Sequence, residues 1–228
     1  MAFIYNISIE ILELIYIFSI ALAMDLLVER KRVSKGTARK IIHLWMGGLI
    51  VFWFLFNSSY AQLLFAVPPL AFIGAMLSGI PKGSKYFDKV LKFAKMNDIY
   101  EVVYGPLIFV SMFVVFTLIA FRSFIGVAAL CAMVFGDGIA PIVGKYARNR
   151  RPSIKKTFEG SVALFFGSLI SIYVFLSVFF PASNINFLFV AASASAVAML
   201  VEVATPGNYD NLTVPLSVWV ILLAVFMI

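Results

Sequence analysis

Residues 160–180 read GSVALFFGSLISIYVFLSVFF, twenty-one residues without a single charge. As a helix the run rises about 30 Å, which is the hydrocarbon thickness of a bilayer. A helix resting on a water-soluble core would need a polar face, and this one offers only scattered serines. It reads as a membrane span.

The same reading extends outward in both directions. Apolar runs fall at Ile9–Val28, Ile41–Phe56, Tyr60–Ile80, Tyr104–Phe121, Phe124–Gly144, Gly160–Phe180, Ile185–Thr205 and Leu212–Ile228. The composition agrees: 13% of the residues are charged, about half the share usual in soluble domains. Soluble globules, disordered tails and coiled-coil rods are thereby excluded. The expected fold is an all-α integral membrane protein, a bundle of about eight transmembrane helices in one polytopic domain over residues 1–228. The first run reads as a retained span, because nothing basic precedes it and Glu10 and Glu13 lie at its start. Cys131, the single cysteine, can close no intrachain disulfide and reads as a small packed hydrophobe.

The placement of charge gives the sides. Arg30, Lys31, Arg32, Lys35, Arg39 and Lys40 fall in or beside the first loop. Lys82, Lys85, Lys89, Lys92 and Lys95 fall in the third. Lys145, Arg148, Arg150, Arg151, Lys155 and Lys156 fall in the fifth, and only Arg122 lies on the other side. The positive-inside rule then puts the odd-numbered loops in the cytoplasm and both termini outside. These loops are short and membrane-flanking, so no nucleic-acid partner is expected. In the third loop Tyr86, Phe87, Val90, Leu91 and Ala94 share one helical face. That suits a helix lying in the headgroup layer, or equally one packed on the bundle. Pro68-Pro69 would kink the third span, either to open a groove for a lipid tail or simply for packing.

Acids at membrane depth are costly and therefore point to function. Asp25, Glu29, Glu101, Asp137, Glu159, Glu202 and Asp210 all map to the cytoplasmic ends of helices, and His43 lies there too. The densest stretch is Gly136-Asp137-Gly138-Ile139-Ala140-Pro141-Ile142-Val143-Gly144-Lys145, followed by Lys155-Lys156-Thr157-Phe158-Glu159-Gly160-Ser161. Gly138 and Pro141 should loosen or break the helix after Asp137 and free backbone amides. Gly136, Gly138 and Gly144 would let a phosphate approach the backbone, and Lys145, Lys155 and Lys156 would supply charge to it. Asp137 and Glu159 are hard oxygen ligands of the kind Mg²⁺ takes alongside substrate phosphates. These parts suit a nucleoside triphosphate with its metal, although no Walker A loop is present. They would equally suit a kinked membrane helix followed by an ordinary basic loop. Asp210 can cap the last span. Glu202 sits in the last turn of a helix, where the macrodipole disfavours an acid.

Taken in order, these segments resemble the CTP-dependent lipid kinase family, which includes dolichol kinases, phytol and farnesol kinases and the fungal-type diacylglycerol kinases. The likeness rests on Gly136-Asp137-x-x-Ala140-x-x-x-Gly144, on Lys156-Thr157-Phe158-Glu159-Gly160-Ser161, and on Glu202 with Asp210-Asn211-Leu212-x-x-Pro215. It is supported by Arg39-Lys40-x-x-His43-x-x-x-Gly47 and Glu101-x-x-x-Gly105-Pro106-Leu107. The Lys-Lys-Thr-Phe-Glu-Gly-Ser run is most similar to dolichol kinases.

The resemblance implies transfer of the γ-phosphoryl group of CTP to the hydroxyl of a membrane polyprenol or related alcohol. It implies Mg²⁺ on Asp137 and Glu159, with Asp210 either a third ligand or the acceptor of the alcohol's proton. Lys156 would hold the triphosphate, with Lys145 and Lys155 beside it. Arg39 and Lys40 would neutralise the transferred group, His43 would be the rival base, and Glu101 and Glu202 would orient the basic residues. Asn211 accompanies Asp210. Arg148-Asn149-Arg150-Arg151 stands where relatives carry a second glycine, which leaves CTP against ATP open. A lipid cytidylyltransferase would use the same substrates, but the Lys-Arg-x-x-x-x-Lys-Asp pattern of CDP-diacylglycerol synthases is missing. A transporter would string polar groups through the bilayer centre instead of gathering them at one face.

Overall fold

Hydroxyl and amide side chains begin the membrane helices, where the first backbone N–H groups would otherwise lack acceptors. Ser34 accepts from the Thr37 amide at 3.2 Å, Ser123 from Gly126 at 2.9 Å, Thr157 from Gly160 at 3.1 Å and Asn186 from Phe189 at 3.1 Å. The computed structural model describes residues 2–63, 99–147, 156–206 and 209–227. Its helices are α1 (Ala2–Glu29), α2 (Lys35–Trp45), α3 (Gly48–Leu55), α4 (Ser59–Gln62), α5 (Ile99–Ile119), α6 (Phe124–Cys131), a π turn (Ala132–Gly136), α7 (Asp137–Gly144), α8 (Phe158–Phe179), α9 (Phe187–Ala204) and α10 (Asp210–Met227). The expected all-α membrane protein is what is seen.

Among the described residues, five helical stretches are long and apolar enough to cross a membrane: Phe3–Glu29, Lys35–Leu55, Phe124–Gly144, Phe158–Phe179 and Phe187–Ala204. Leu107–Ile119 and Asp210–Phe226 are shorter apolar helices. Most of the third expected run, including Pro68-Pro69, lies outside the described residues, as do the third-loop stretch Tyr86–Ala94 and Lys155.

The stretch Phe124–Gly144 is the axis of the bundle, with α8, α9, α10 and α2 packed around it. Its residues are small where neighbours come close. Gly136 faces Leu164 and Ser168 of α8, and a Cβ at Gly144 would sit 2.7 Å from Thr157 Oγ1. Without a hydrophobic drive between helices inside lipid, such close packing holds them together. Large fully buried side chains, Trp53, Phe113, Phe116, Leu130 and Met133 among them, fill the remaining core. Phe166, Ile170, Tyr173 and Val174 on α8 are exposed and form its lipid-facing side.

One local expectation is corrected. The helix does not break after Asp137: α7 runs through Pro141, and the irregularity comes earlier, as the π turn. The run Ile41–Phe56 falls in the spanning stretch Lys35–Leu55, which carries a turn at Met46–Gly47 between α2 and α3. There Gly47 abuts the Phe135 ring so closely that a Cβ would overlap it.

Arg122, expected alone on its side, forms the corner between α5 and α6 with a positive φ of 55°. Its guanidinium donates to the carbonyls of Trp53 (2.7 Å), Phe54 (2.9 Å) and Phe56. Trp53 and Phe54 lie in the last turn of α3 and Phe56 just after it, where carbonyls have no partner within the helix.

Candidate active site

Lys40 and His43 are three residues apart on α2 and so share a face. Asp137, 4% exposed, meets that face as the first residue of α7. Lys40 Nζ lies 3.4 Å from Asp137 Oδ2, and His43 Nε2 lies 3.6 Å from the same oxygen. The π turn sets this geometry. In a regular α-helix the Asp137 N–H would bond the Met133 carbonyl. Here it bonds Ala132 and Val134, and the Met133 carbonyl contacts His43 Nε2 at 3.3 Å. The far end of α2 is tied to α1 by Tyr16, whose hydroxyl donates to the Trp45 carbonyl at 2.5 Å.

A second cluster forms around Lys156, the residue before the Thr157 cap of α8. Its ammonium lies 3.0 Å from Glu202 Oε1 and 3.6 Å from Asp210 Oδ2, and it also donates to the Glu202 carbonyl. Ser161 Oγ donates to Glu202 Oε2 at 3.2 Å. Glu202, an acid at the wrong end of a helix dipole, is therefore held by a cation on one oxygen and a hydroxyl on the other. The Asn211 amide donates to Asp210 Oδ1 at 3.0 Å. The two clusters are not separate sites, since the charges of Lys40 and Lys156 both reach Asp137 and Asp210.

The remaining expected residues divide. Arg39 is exposed beside Lys40, and its charge reaches His43. Lys145 is exposed, with its ammonium 5.9 Å from the Tyr146 ring centre. The Cβ directions of Gly136, Gly138 and Gly144 are filled by Ser168, Leu44 and Thr157, so their smallness serves helix contact. Glu159 Oε2 and Asn211 Oδ1 are buried without a hydrogen-bond partner. Because Gly136 lies against Ser168 and Gly144 against Gly160, Asp137 and Glu159 stand about two turns, roughly 10 Å, apart along this contact. Glu101 lies on α5, with its side chain outside the described residues.

Sequence reasoning missed two groups. Ser161 was visible in its motif but carried no role. The Met133 carbonyl has no side-chain signature at all.

Among the described residues no three His, Cys, Asp or Glu side chains gather as a metal cage. Mg²⁺ carried in with a nucleotide needs only one or two carboxylates, and the buried Asp137 with nearby Asp210 fits that demand. Two ammonium groups, Lys40 and Lys156, stand beside carboxylate partners, an arrangement chemically suited to a polyanion.

No family model and no solved structure matches the chain. Several curated proteins do. It is 32% identical over 203 residues to a probable phytol kinase 2, chloroplastic, of Oryza sativa subsp. japonica, covering 84% of this chain and 66% of the relative. It is 29% identical over 220 residues to phytol kinase 1, chloroplastic, of Arabidopsis thaliana, covering 88% and 70%. It is 30% identical over 195 residues to the farnesol kinase, chloroplastic, of the same plant, covering 78% and 62%. The chain thus spans about two thirds of the length of these relatives.

Proposed function

The chain belongs to the isoprenoid-alcohol kinase family of the phytol and farnesol kinases, and on that premise we propose that it phosphorylates the hydroxyl of a membrane isoprenoid alcohol, with CTP as donor. The observation that carries the reading is the meeting of Lys40, His43 and Asp137 with Lys156, Glu202 and Asp210 in one place among membrane helices. Charges this expensive inside a membrane are kept for a charged ligand. The mixture of ammonium and carboxylate suits a triphosphate.

Phosphoryl transfer asks a protein mainly for in-line positioning and charge stabilisation. Lys156 moves from Asp210 to the triphosphate while Glu202 and Ser161 keep it aimed. Lys40 and Arg39 neutralise the transferred group. The alcohol oxygen bonds the γ-phosphorus, the bond to the β–γ bridging oxygen breaks, and the hydroxyl proton passes to an Asp210 oxygen freed by Lys156. Asp137 would hold Mg²⁺, which supplies charge neutralisation on the phosphate oxygens. The acceptor's tail stays among the helices. Farnesol and phytol set the size of acceptor expected, and a long polyprenol of the dolichol type is the extension to test.

The deciding experiment incubates purified protein in lipid vesicles with Mg²⁺ and CTP, ATP, GTP or UTP labelled at either the α or the γ position. Phytol, farnesol, geranylgeraniol, dolichol and diacylglycerol serve as acceptors, and the lipids are extracted. The expected result is γ-label, and no α-label, in an isoprenyl monophosphate, fastest with CTP. An α-labelled lipid would instead establish a cytidylyltransferase, and an unlabelled lipid fraction would remove the kinase reading.

A further inference from the structure

His43 is the single histidine of the chain, and the family resemblance makes it a rival base for the acceptor's hydroxyl. The geometry around its ring gives it different work. Nε2 lies 3.3 Å from the Met133 carbonyl and 3.6 Å from Asp137 Oδ2. A carbonyl and a carboxylate are both acceptors, so the nitrogen between them carries the hydrogen. A nitrogen that already holds a proton and spends it on a carbonyl cannot take one from an alcohol. The ring is also fenced in. Phe109 of α5 meets it edge-on, with centroids 5.0 Å apart. On the α7 side, a Cβ at Gly138 would stand 3.2 Å from His43 Cδ2. A side chain fixed by two helices and a π turn is built to hold a position.

We propose that His43 is a positioning residue. Its Nε2–H ties α2 to the Met133 carbonyl that the π turn leaves to it, and so holds Asp137 and Lys40 in register for the phosphate-binding space. Four observations on separate elements combine in this: the Asp137 N–H that skips Met133, the His43–Met133 contact, the shared Asp137 Oδ2, and the glycine that gives the ring room. The role in catalysis rests on the kinase reading. The protonation of Nε2 does not, so the two can fail separately.

Two measurements test it. The first uses protein labelled with ¹⁵N-histidine in vesicles at about pH 8, where an ordinary imidazole is neutral. With one histidine in the chain, the ring nitrogen shifts report one tautomer without assignment. A proton on Nε2 is expected, and a bare Nε2 overturns the proposal whatever reaction the protein performs. The second compares His43→Gln, whose terminal amide can donate from near the Nε2 position, with His43→Ala. The alanine variant should lose about ten- to a hundredfold in kcat/KM, with a raised Mg²⁺ requirement, as expected when the partner of a ligand is removed. The glutamine variant should recover most of that loss. A glutamine variant as inactive as the alanine one, with its Mg²⁺ requirement unchanged, would mark His43 as the base and overturn the positioning role.

Discussion

Asp137 takes Lys40 and His43 on one oxygen and lies within reach of the Lys156 charge. Asp137→Asn keeps the shape and one acceptor oxygen for Lys40 and His43, so the protein should still fold, at a lower melting temperature, while lipid phosphorylation falls below detection. Full turnover in that variant would remove Asp137 from the reaction. Lys156 and Glu202 contribute unequally. Lys156→Met leaves two buried carboxylates without their cation, which costs about 3 kcal/mol when one partner of a buried pair is lost. Turnover should vanish and the melting temperature should drop together. Glu202→Gln keeps the Ser161 contact and an oxygen facing Lys156, so a loss of about tenfold in kcat/KM is expected from disturbing an orienting group. A Glu202→Gln variant as inactive as Asp137→Asn would place Glu202 in direct contact with substrate.

At the scale of the helix, α7 and α8 depend on a shared detail: Thr157 caps α8 through the same hydroxyl that touches Gly144. Thr157→Ala should cost about 1 kcal/mol, the usual worth of a cap. Gly144→Val, which drives a side chain into that hydroxyl, should cost more. Thermal unfolding in detergent ranks the two, and equal melting temperatures would separate the cap from the contact.

These elements also show what the sequence made legible. The run at 160–180 became Phe158–Phe179 because length and apolarity alone specify a membrane helix, and the cap at Thr157 fixes where it starts. The π turn at Ala132–Gly136 was not legible. Its extra residue rotates everything after it by about 100°, and no pattern of side chains declares that. This is why Asp137, Lys40 and His43 could be picked out while the Met133 carbonyl that meets His43 could not. Glu202 was legible as an acid against the helix dipole. Glu159 was chosen on its motif, but its place on α8 sets it about two turns from Asp137, because facing positions on two packed helices follow their glycine contacts and not their order in the chain.

For the molecule as a whole, the charge count makes a topological prediction. With Cys131 buried and replaced by alanine, cysteines at Ser34 and Ala182 should react with a membrane-impermeant maleimide from opposite sides, Ser34 from the cytoplasmic one. Labelling of both from one side would break the expected order of spans. Chelation makes another: EDTA should silence lipid phosphorylation in intact vesicles loaded with nucleotide only when it is present on the Ser34 side, and Mg²⁺ added there should restore it.

The guanidinium at the Arg122 corner fastens the end of α3 through three carbonyls. Arg122→Ala should therefore unfasten that end and lower the melting temperature, while the ion pairs on Asp137, on other elements, stay in place.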